Sequence, residues 1–275
     1  LHVDQARLWT PESPTLYMLR LRHDGGAETT QRFGFRQLHA EGDQLRLNGA
    51  PITLRGILSW GWNERTLAPT FSDDEIRTQF RRLREAGFNL YKLCLYVPPE
   101  RLFEIADEEG MLLWLELPMW LPHLSDHLRA QAAEEYADIL DRVQHHPSVV
   151  IYSLGCELSA EHADAALLQR LDTIVRERVA GALVCDNSGS GEAYGGLASD
   201  LADFSDYHFY CDLHDFTPLC DLFRRDWRPP RPWVFGEFCD SDDYRDPTEI
   251  LDDGQRPWWR DVMGKEGNLG RWAHV

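Results

Sequence analysis

From Ser72 onward the chain alternates short apolar runs with helical segments, and that rhythm restricts the architecture more than any other feature. "SDDEIRTQFRRLREAG" (72–87) opens on a capping serine followed by acids and carries Ile76, Phe80 and Leu83 at helical spacing before Gly87 stops it. "FNLYKLCLYV" reads as a strand, and "PPERLFEIADEEG" as a helix opening on proline and closing on Gly110. "MLLWLELPMW", "VVIYSLG" and "ALVCDNS" are further strands, separated by the helices "SDHLRAQAAEEYADILDRVQHH" and "DAALLQRLDTIVRERVAG". "FSDYHFYC" and "RPWVFGEF" are the last two, with a helical "LCDLFRR" between them. With "ITLRGI" (52–57) as the first, seven strands alternate with helices or long connections. Such alternation means an α/β fold with a parallel sheet, and the number points to an eight-stranded TIM (β/α)8-type barrel. No eighth strand is visible, so the chain is expected to be a fragment at both ends, with a barrel lacking its last strand.

The segment before Ser72 follows a different grammar. "TLYMLRLRH" (15–23) alternates with period two, "TTQRFGFRQLHA" (29–40) follows as a second strand, and Asn48-Gly49 marks a tight hairpin. The opening residues are therefore all β.

A chain of 275 residues with 43% hydrophobic residues can bury a large core. No apolar stretch is long enough to span a bilayer, and the formal net charge of −18 disfavours nucleic acid or an anionic membrane surface. The six cysteines form no CxxC pair and no metal-ligand spacing, which favours a reducing, cytoplasmic setting with buried thiols. An open barrel edge needs flanking residues or a partner to cover it, so a homo-oligomer is among the expectations.

In a barrel of this kind the active site is built from the C-terminal ends of the strands. Those ends carry Trp60 and Trp62, Lys92 and Tyr96, Glu116 and Trp120, Cys156 and Glu157, Asp186 and Asn187, His208 and Tyr210, and finally Glu237. Glu157 and Glu237 each follow an apolar strand and a glycine, in "SLGCE" and "VFGE"; glycine is expected to let the backbone turn there. Two carboxylates among aromatic side chains suit glycoside cleavage. One stays protonated to donate to the leaving oxygen, the other is ionised to attack the anomeric carbon, and about 5–5.5 Å separates them in a retaining enzyme. Tryptophan and tyrosine faces suit the apolar face of a sugar ring.

Several stretches together resemble glycoside hydrolase family 2, the retaining barrel glycosidases that include β-galactosidases, β-glucuronidases and β-mannosidases. "LWTPESPTLYMLRL" is similar to the end of that family's immunoglobulin-like β-sandwich, and "RFGFRQLHAEGDQLRLNGAPITLRG" to its junction into the barrel. "HPSVVIYSLGCE" resembles the acid/base strand and "RPWVFGEF" the nucleophile strand. The resemblance implies the C-terminal part of a sandwich over 1–36 and a catalytic barrel over 37–275. It also implies Glu157 as acid/base, Glu237 as nucleophile, and Tyr210 or His208 as hydrogen-bond donor to the nucleophile. Trp60, Lys92, Glu116, Trp120, Asn187 and Cys156 are the remaining expected substrate-binding positions, with a carbohydrate substrate and neither metal nor organic cofactor. The chain departs from the family where asparagine precedes the acid/base, since Cys156 stands there. "RGILSW" places Leu58 and Trp60 at polar positions of the first strand, and Lys92 and Leu95 replace an arginine and a histidine on the second. An unusual glycone, or a sugar-binding barrel that has lost turnover, would account for those changes. A thiol enzyme using Cys156 with His208 as base is a third reading.

"GSGEAYGG" (189–196) lacks phosphate-loop spacing and reads as a substrate loop, and "DSDDYRDPTEILDDG" (240–254) fails the EF-hand pattern and reads as a solvated acidic loop. His145 and His146, at a helix end before Pro147, read as structural.

Overall fold

The computed structural model describes residues 3–189, 201–209, 213–226 and 231–238. Tyr210, Cys211, Cys239, most of the glycine-rich loop, the acidic stretch 240–254 and the place of an eighth strand lie outside the described residues.

Two antiparallel sheets come first. β1 (Tyr17–Arg22) and β2 (Glu28–Phe33) form a hairpin, and β3 (Leu38–Glu41), β4 (Gln44–Leu47) and β5 (Ala50–Pro51) form a three-stranded sheet. Asn48 and Gly49 have φ of 52° and 84°, the left-handed pair that a two-residue hairpin loop requires, and Leu47 faces Ala50 across it. The stretch 29–40 expected as one strand is broken between β2 and β3. Gly34 lies against the Pro147 ring with no room for a Cβ, and Arg36 donates to the carbonyls of Pro147 (3.1 Å) and Val149 (2.6 Å). The backbone leaves the sheet there to dock on a segment more than a hundred residues away, which local alternation does not encode.

Seven strands follow in chain order, in two groups that are each parallel within themselves. They are β6 (Gly56–Ser59), β7 (Leu90–Leu93), β8 (Leu112–Glu116), β9 (Val149–Ser153), β10 (Leu183–Cys185), β11 (Ser205–Phe209) and β12 (Trp233–Phe238). β6 to β10 make one five-stranded sheet, and β11 pairs with β12; among the described residues no ladder joins the two groups. β6 starts later than its apolar run, because the Ile52 N–H still bonds the Leu45 carbonyl and pairing with β7 begins at Gly56. The helices between them are α1 (Asp73–Glu85), α2 (Glu100–Glu109), α3 (Asp126–Val143), α4 (Ala165–Arg178) and α5 (Leu213–Asp226). Ser72 and Glu75 form a reciprocal capping box on α1, and Ser125 and Asp164 cap α3 and α4. α5 begins earlier than the "LCDLFRR" pattern and contains Pro218.

Period-two alternation sorts the strand residues between two cores. Tyr91, Leu93, Leu113 and Leu115 face the helices, packing against Ile76, Phe80 and Leu140. Leu90, Leu112, Trp114 and Leu183 face the other way and meet Trp9, Leu38, Leu45 and Leu47 from the N-terminal β-structure. Each such fully buried side chain contributes about 1.5–3 kcal/mol. The small antiparallel part thus closes the inner face of the parallel, barrel-like part. Trp9, wholly buried, donates its indole N–H to the Asp107 carbonyl at 2.9 Å, and the Pro11 carbonyl lies against Gly110 at the end of α2.

Gly110 has φ of 73°, and a Cβ there would overlap the Pro11 backbone. Gly110→Ala therefore combines left-handed strain with a steric conflict between the two parts. It is expected to destabilise the protein by about 1–3 kcal/mol in urea titrations, where Gly87→Ala, which meets nothing within 4 Å, costs less.

Candidate active site

Lys92 and Glu116 are inward-facing by the same alternation that buries Leu90 and Leu112. The Lys92 ammonium, on a residue 2% exposed, sits 4.9 Å over the Trp114 ring. It lies 3.0 Å from Glu116 Oε1 and 3.2 Å from Glu237 Oε1, and donates to Ser188 Oγ at 2.9 Å. Burial works to lower its pKa, but Glu116, Glu237 and Asp206 outweigh that, and the amine is held well above its ordinary value. Lys92 is thus a fixed buried cation at the inner end of the site.

Glu157 is held by backbone linking three strand ends. Cys156 N–H bonds the Met119 carbonyl at 3.0 Å, Glu157 N–H bonds the Ser188 carbonyl at 2.8 Å, and Ser188 N–H returns to Gly155 at 2.9 Å. The sharp backbone turn falls on Glu157 itself, whose φ is 50°, and not on the glycine expected to supply it. For a non-glycine residue that conformation costs about 1–3 kcal/mol, and the surrounding hydrogen bonds maintain it. Gly155 is small for another reason: a Cβ would meet Leu158 Cδ1 at 2.6 Å and the Met119 carbonyl at 3.0 Å. The Glu157 carboxylate accepts from His208 Nδ1 at 2.8 Å and from Trp120 Nε1 at 3.2 Å.

His208 stands between the two glutamates. Its Nε2 lies 3.6 Å from Glu237 Oε1, 3.7 Å from Asp206 Oδ2 and 3.0 Å from Ser188 Oγ. Burial lowers the imidazole pKa, yet the bond to Glu157 and the charges of Asp206 and Glu237 raise it further, so the net shift is upward. His208 thus hydrogen-bonds Glu157, while Tyr210, the other residue expected to donate to Glu237, lies outside the described residues. The Cys156 thiol points at Glu237 Oε1 from 3.9 Å. Its pKa is driven far up by burial and then by Glu116, with Glu237 and Glu157 adding to the rise, which opposes the thiolate that a cysteine nucleophile needs.

Two members of this network were missed from sequence. Asp206 accepts from Gly236 N–H at 2.7 Å, from Gly189 N–H at 3.2 Å and from Ser188 Oγ at 2.7 Å. Its carboxylate fills the space a Cβ at Gly236 would take, which accounts for the glycine before Glu237. The available signal was its position two residues before His208 on one strand face. Ser188 carried no comparable signal. Of the other expected positions, Trp60 and Trp120 are half-exposed. Asn187 has both amide ends on the Leu158 backbone, at 2.8 and 2.9 Å, and so holds the loop after Glu157.

Lys92→Met would leave Glu116 and Glu237 without their cation. The expected cost at neutral pH is about 3–5 kcal/mol, as urea titrations would reveal. The raised His208 pKa adds stability that is full below about pH 6.5 and is lost as pH rises through the higher folded-state value. Wild type and His208→Gln should therefore differ most in stability on the acid side and converge on the alkaline side.

The sequence matches the family described as glycosyl hydrolases family 2 over residues 1–36, and that family's TIM barrel domain over residues 38–178. A putative beta-glucuronidase of Formosa agariphila is 29% identical over 177 residues, covering 60% of this chain and 17% of the relative. A beta-galactosidase of Leuconostoc mesenteroides is 25% identical over 189 residues, covering 62% and 17%. The chain thus spans less than a fifth of the length of these curated relatives. Among solved structures, a β-glucuronidase from Ruminococcus gnavus in complex with D-glucuronic acid superposes with a TM-score of 0.75 at 20% identity, covering 99% of this chain and 50% of the other. A β-galacturonidase from Eisenbergiella tayi bound to galacturonate gives 0.73 at 16%, covering 91% and 47%. At these identities the likeness establishes the fold.

Proposed function

The chain belongs to glycosyl hydrolases family 2, and from that premise we propose that it cleaves β-glycosidic bonds with retention, Glu237 acting as nucleophile and Glu157 as acid/base. The observation that carries this reading is the unequal surroundings of two glutamates joined through one imidazole. Glu237 faces the Lys92 ammonium at 3.2 Å, which favours the ionised carboxylate a nucleophile requires. Glu157 shares a 2.8 Å hydrogen bond with His208, a group able to hold or return a proton as the carboxyl alternates between acid and base. On this reading residues 1–36 end a β-sandwich and 37–275 form the catalytic barrel.

On this reading two displacements occur at the anomeric carbon. Glu237 attacks the anomeric carbon while Glu157 protonates the departing oxygen, and a glycosyl ester forms on Glu237. Glu157, now a base, takes a proton from water, which attacks the same carbon and frees the sugar with its configuration retained. Half-exposed Trp60 and Trp120 offer ring faces to the sugar or its leaving group. The relatives' names make β-glucuronides and β-galactosides the first substrates to try.

A barrel that binds sugar without turning it over is the second reading, and Cys156 favours it. A thiol directed at Glu237 replaces the amide that would hold the sugar 2-hydroxyl, a contact that strengthens in the transition state. Aryl glycoside assays separate the two. Under the first reading Glu237→Gln lowers kcat by about 10⁴-fold or more. Glu157→Gln slows unactivated glycosides by about 10²–10⁴-fold, while a dinitrophenyl glycoside, whose leaving group needs no proton, still gives a rapid first burst. Sugar-dependent rises in Tm without any turnover in wild type would establish the second reading and overturn the first.

A further inference from the structure

His146 lies on the helical side of the sheet, between α2 and the loop that leads from α3 into β9. Its Nδ1 is 2.6 Å from Asp107 Oδ2, and the other Asp107 oxygen accepts the Ser148 N–H at 3.0 Å. With the carboxylate as acceptor, Nδ1 carries the proton, so Nε2 presents a lone pair. That nitrogen is buried, on a residue 3% exposed, and has no hydrogen-bond partner. A buried acceptor left unmatched costs about 1–3 kcal/mol, a cost that a ligand on Nε2 would relieve.

The surroundings supply the rest of a coordination shell. His146 Nε2 or Nδ1, one ring nitrogen of His145 and one carboxylate oxygen of Glu100 all lie within 4.8 Å of one another. Because Nδ1 is committed to Asp107, Nε2 is the atom left to coordinate. The two imidazole rings are 4.1 Å apart between centroids, and Phe103 stacks on His146 at 5.3 Å, fixing its plane. A ligating histidine whose second nitrogen donates to a carboxylate is the arrangement that sets tautomer and ring orientation in zinc sites. Ligand atoms about 2.0–2.2 Å from one tetrahedral zinc ion are about 3.3–3.6 Å apart, so donors within 4.8 Å of one another need to close by about 1.5 Å at most.

We propose that Glu100, His145 and His146 form a divalent-metal site of the zinc class, oriented by Asp107, on the flank of the barrel-like part. Two imidazoles and a carboxylate suit zinc, cobalt or nickel better than calcium or magnesium, which prefer oxygen ligands. Glu100 and Asp107 together supply the two negative charges that balance the ion. Its effect is to tie the start of α2 to the segment that sets β9 in place. Two other groups of donors, Cys156 with His208 and Glu237, and Cys94 with Glu116 and Glu237, lie in the candidate active site. The Lys92 ammonium already occupies the neighbourhood of both, 3.0 Å from Glu116 and 3.2 Å from Glu237, and repels a second cation.

The test is cobalt and zinc titration of chelator-treated protein, read by absorption and calorimetry. One tight equivalent is expected, with d–d bands of low-coordinate cobalt and no near-ultraviolet sulfur-to-cobalt charge transfer. His145→Ala and Glu100→Gln, both outside the core, should each weaken binding by about 10-fold or more, and Cys156→Ser should leave it unchanged. Absence of binding in wild type, undiminished affinity in both flank variants, or a sulfur band abolished by Cys156→Ser would each overturn the proposal.

Discussion

One buried ammonium organises the interior of this protein. Lys92 lies among Glu116, Glu237 and Asp206, and an ion-sized group removed from water is tolerated only when charges and hydrogen bonds surround it. The carboxylates outnumber it. Glu157 adds a fourth carboxylate, bonded by His208, which also faces Glu237. Double displacement at an anomeric carbon requires one carboxyl protonated and another ionised. Pocket electrostatics and proposed chemistry are therefore two consequences of the same charge arrangement.

That arrangement depends on closure elsewhere. Lys92 and Glu116 project from the same strand faces as Leu90 and Leu112, so the inner surface is apolar at one end and charged at the other. The N-terminal β-structure covers the apolar end with Trp9, Leu38, Leu45 and Leu47. Gly34 admits the Pro147 and Trp9 side chains and Gly110 the Pro11 backbone at that junction, and Arg36 extends it to the start of β9. Stability and site geometry meet at β9, whose first residues hold the junction and whose last lead to Glu157.

Much of the fold was legible from residue patterns. The Asn48-Gly49 hairpin, the capping box at Ser72 and Glu75, the helix stops at Gly87 and Gly110, and the order of seven strands rest on local rules obeyed locally. The exceptions were places where a distant segment intervened. The run 29–40 alternates as a strand should, but Gly34 to Gln37 are drawn out of the sheet by Pro147 and Val149. Gly155 and Gly236 looked like turn residues, yet each is small because another part of the chain occupies the space of a Cβ.

The sequence by itself determined which carboxylates stand at the ends of parallel strands, because period-two alternation and strand order follow from neighbouring residues. Tertiary structure alone decided their partners. Lys92 reaches Glu237 across 145 positions of chain, His208 reaches Glu157 across 51, and Asp206 enters the gap left by Gly236 across 30. Those pairings depend on how the strands are staggered and how the sheet curves. A buried charge settles on whichever partners that curvature brings within about 3–4 Å, and no local pattern specifies that distance.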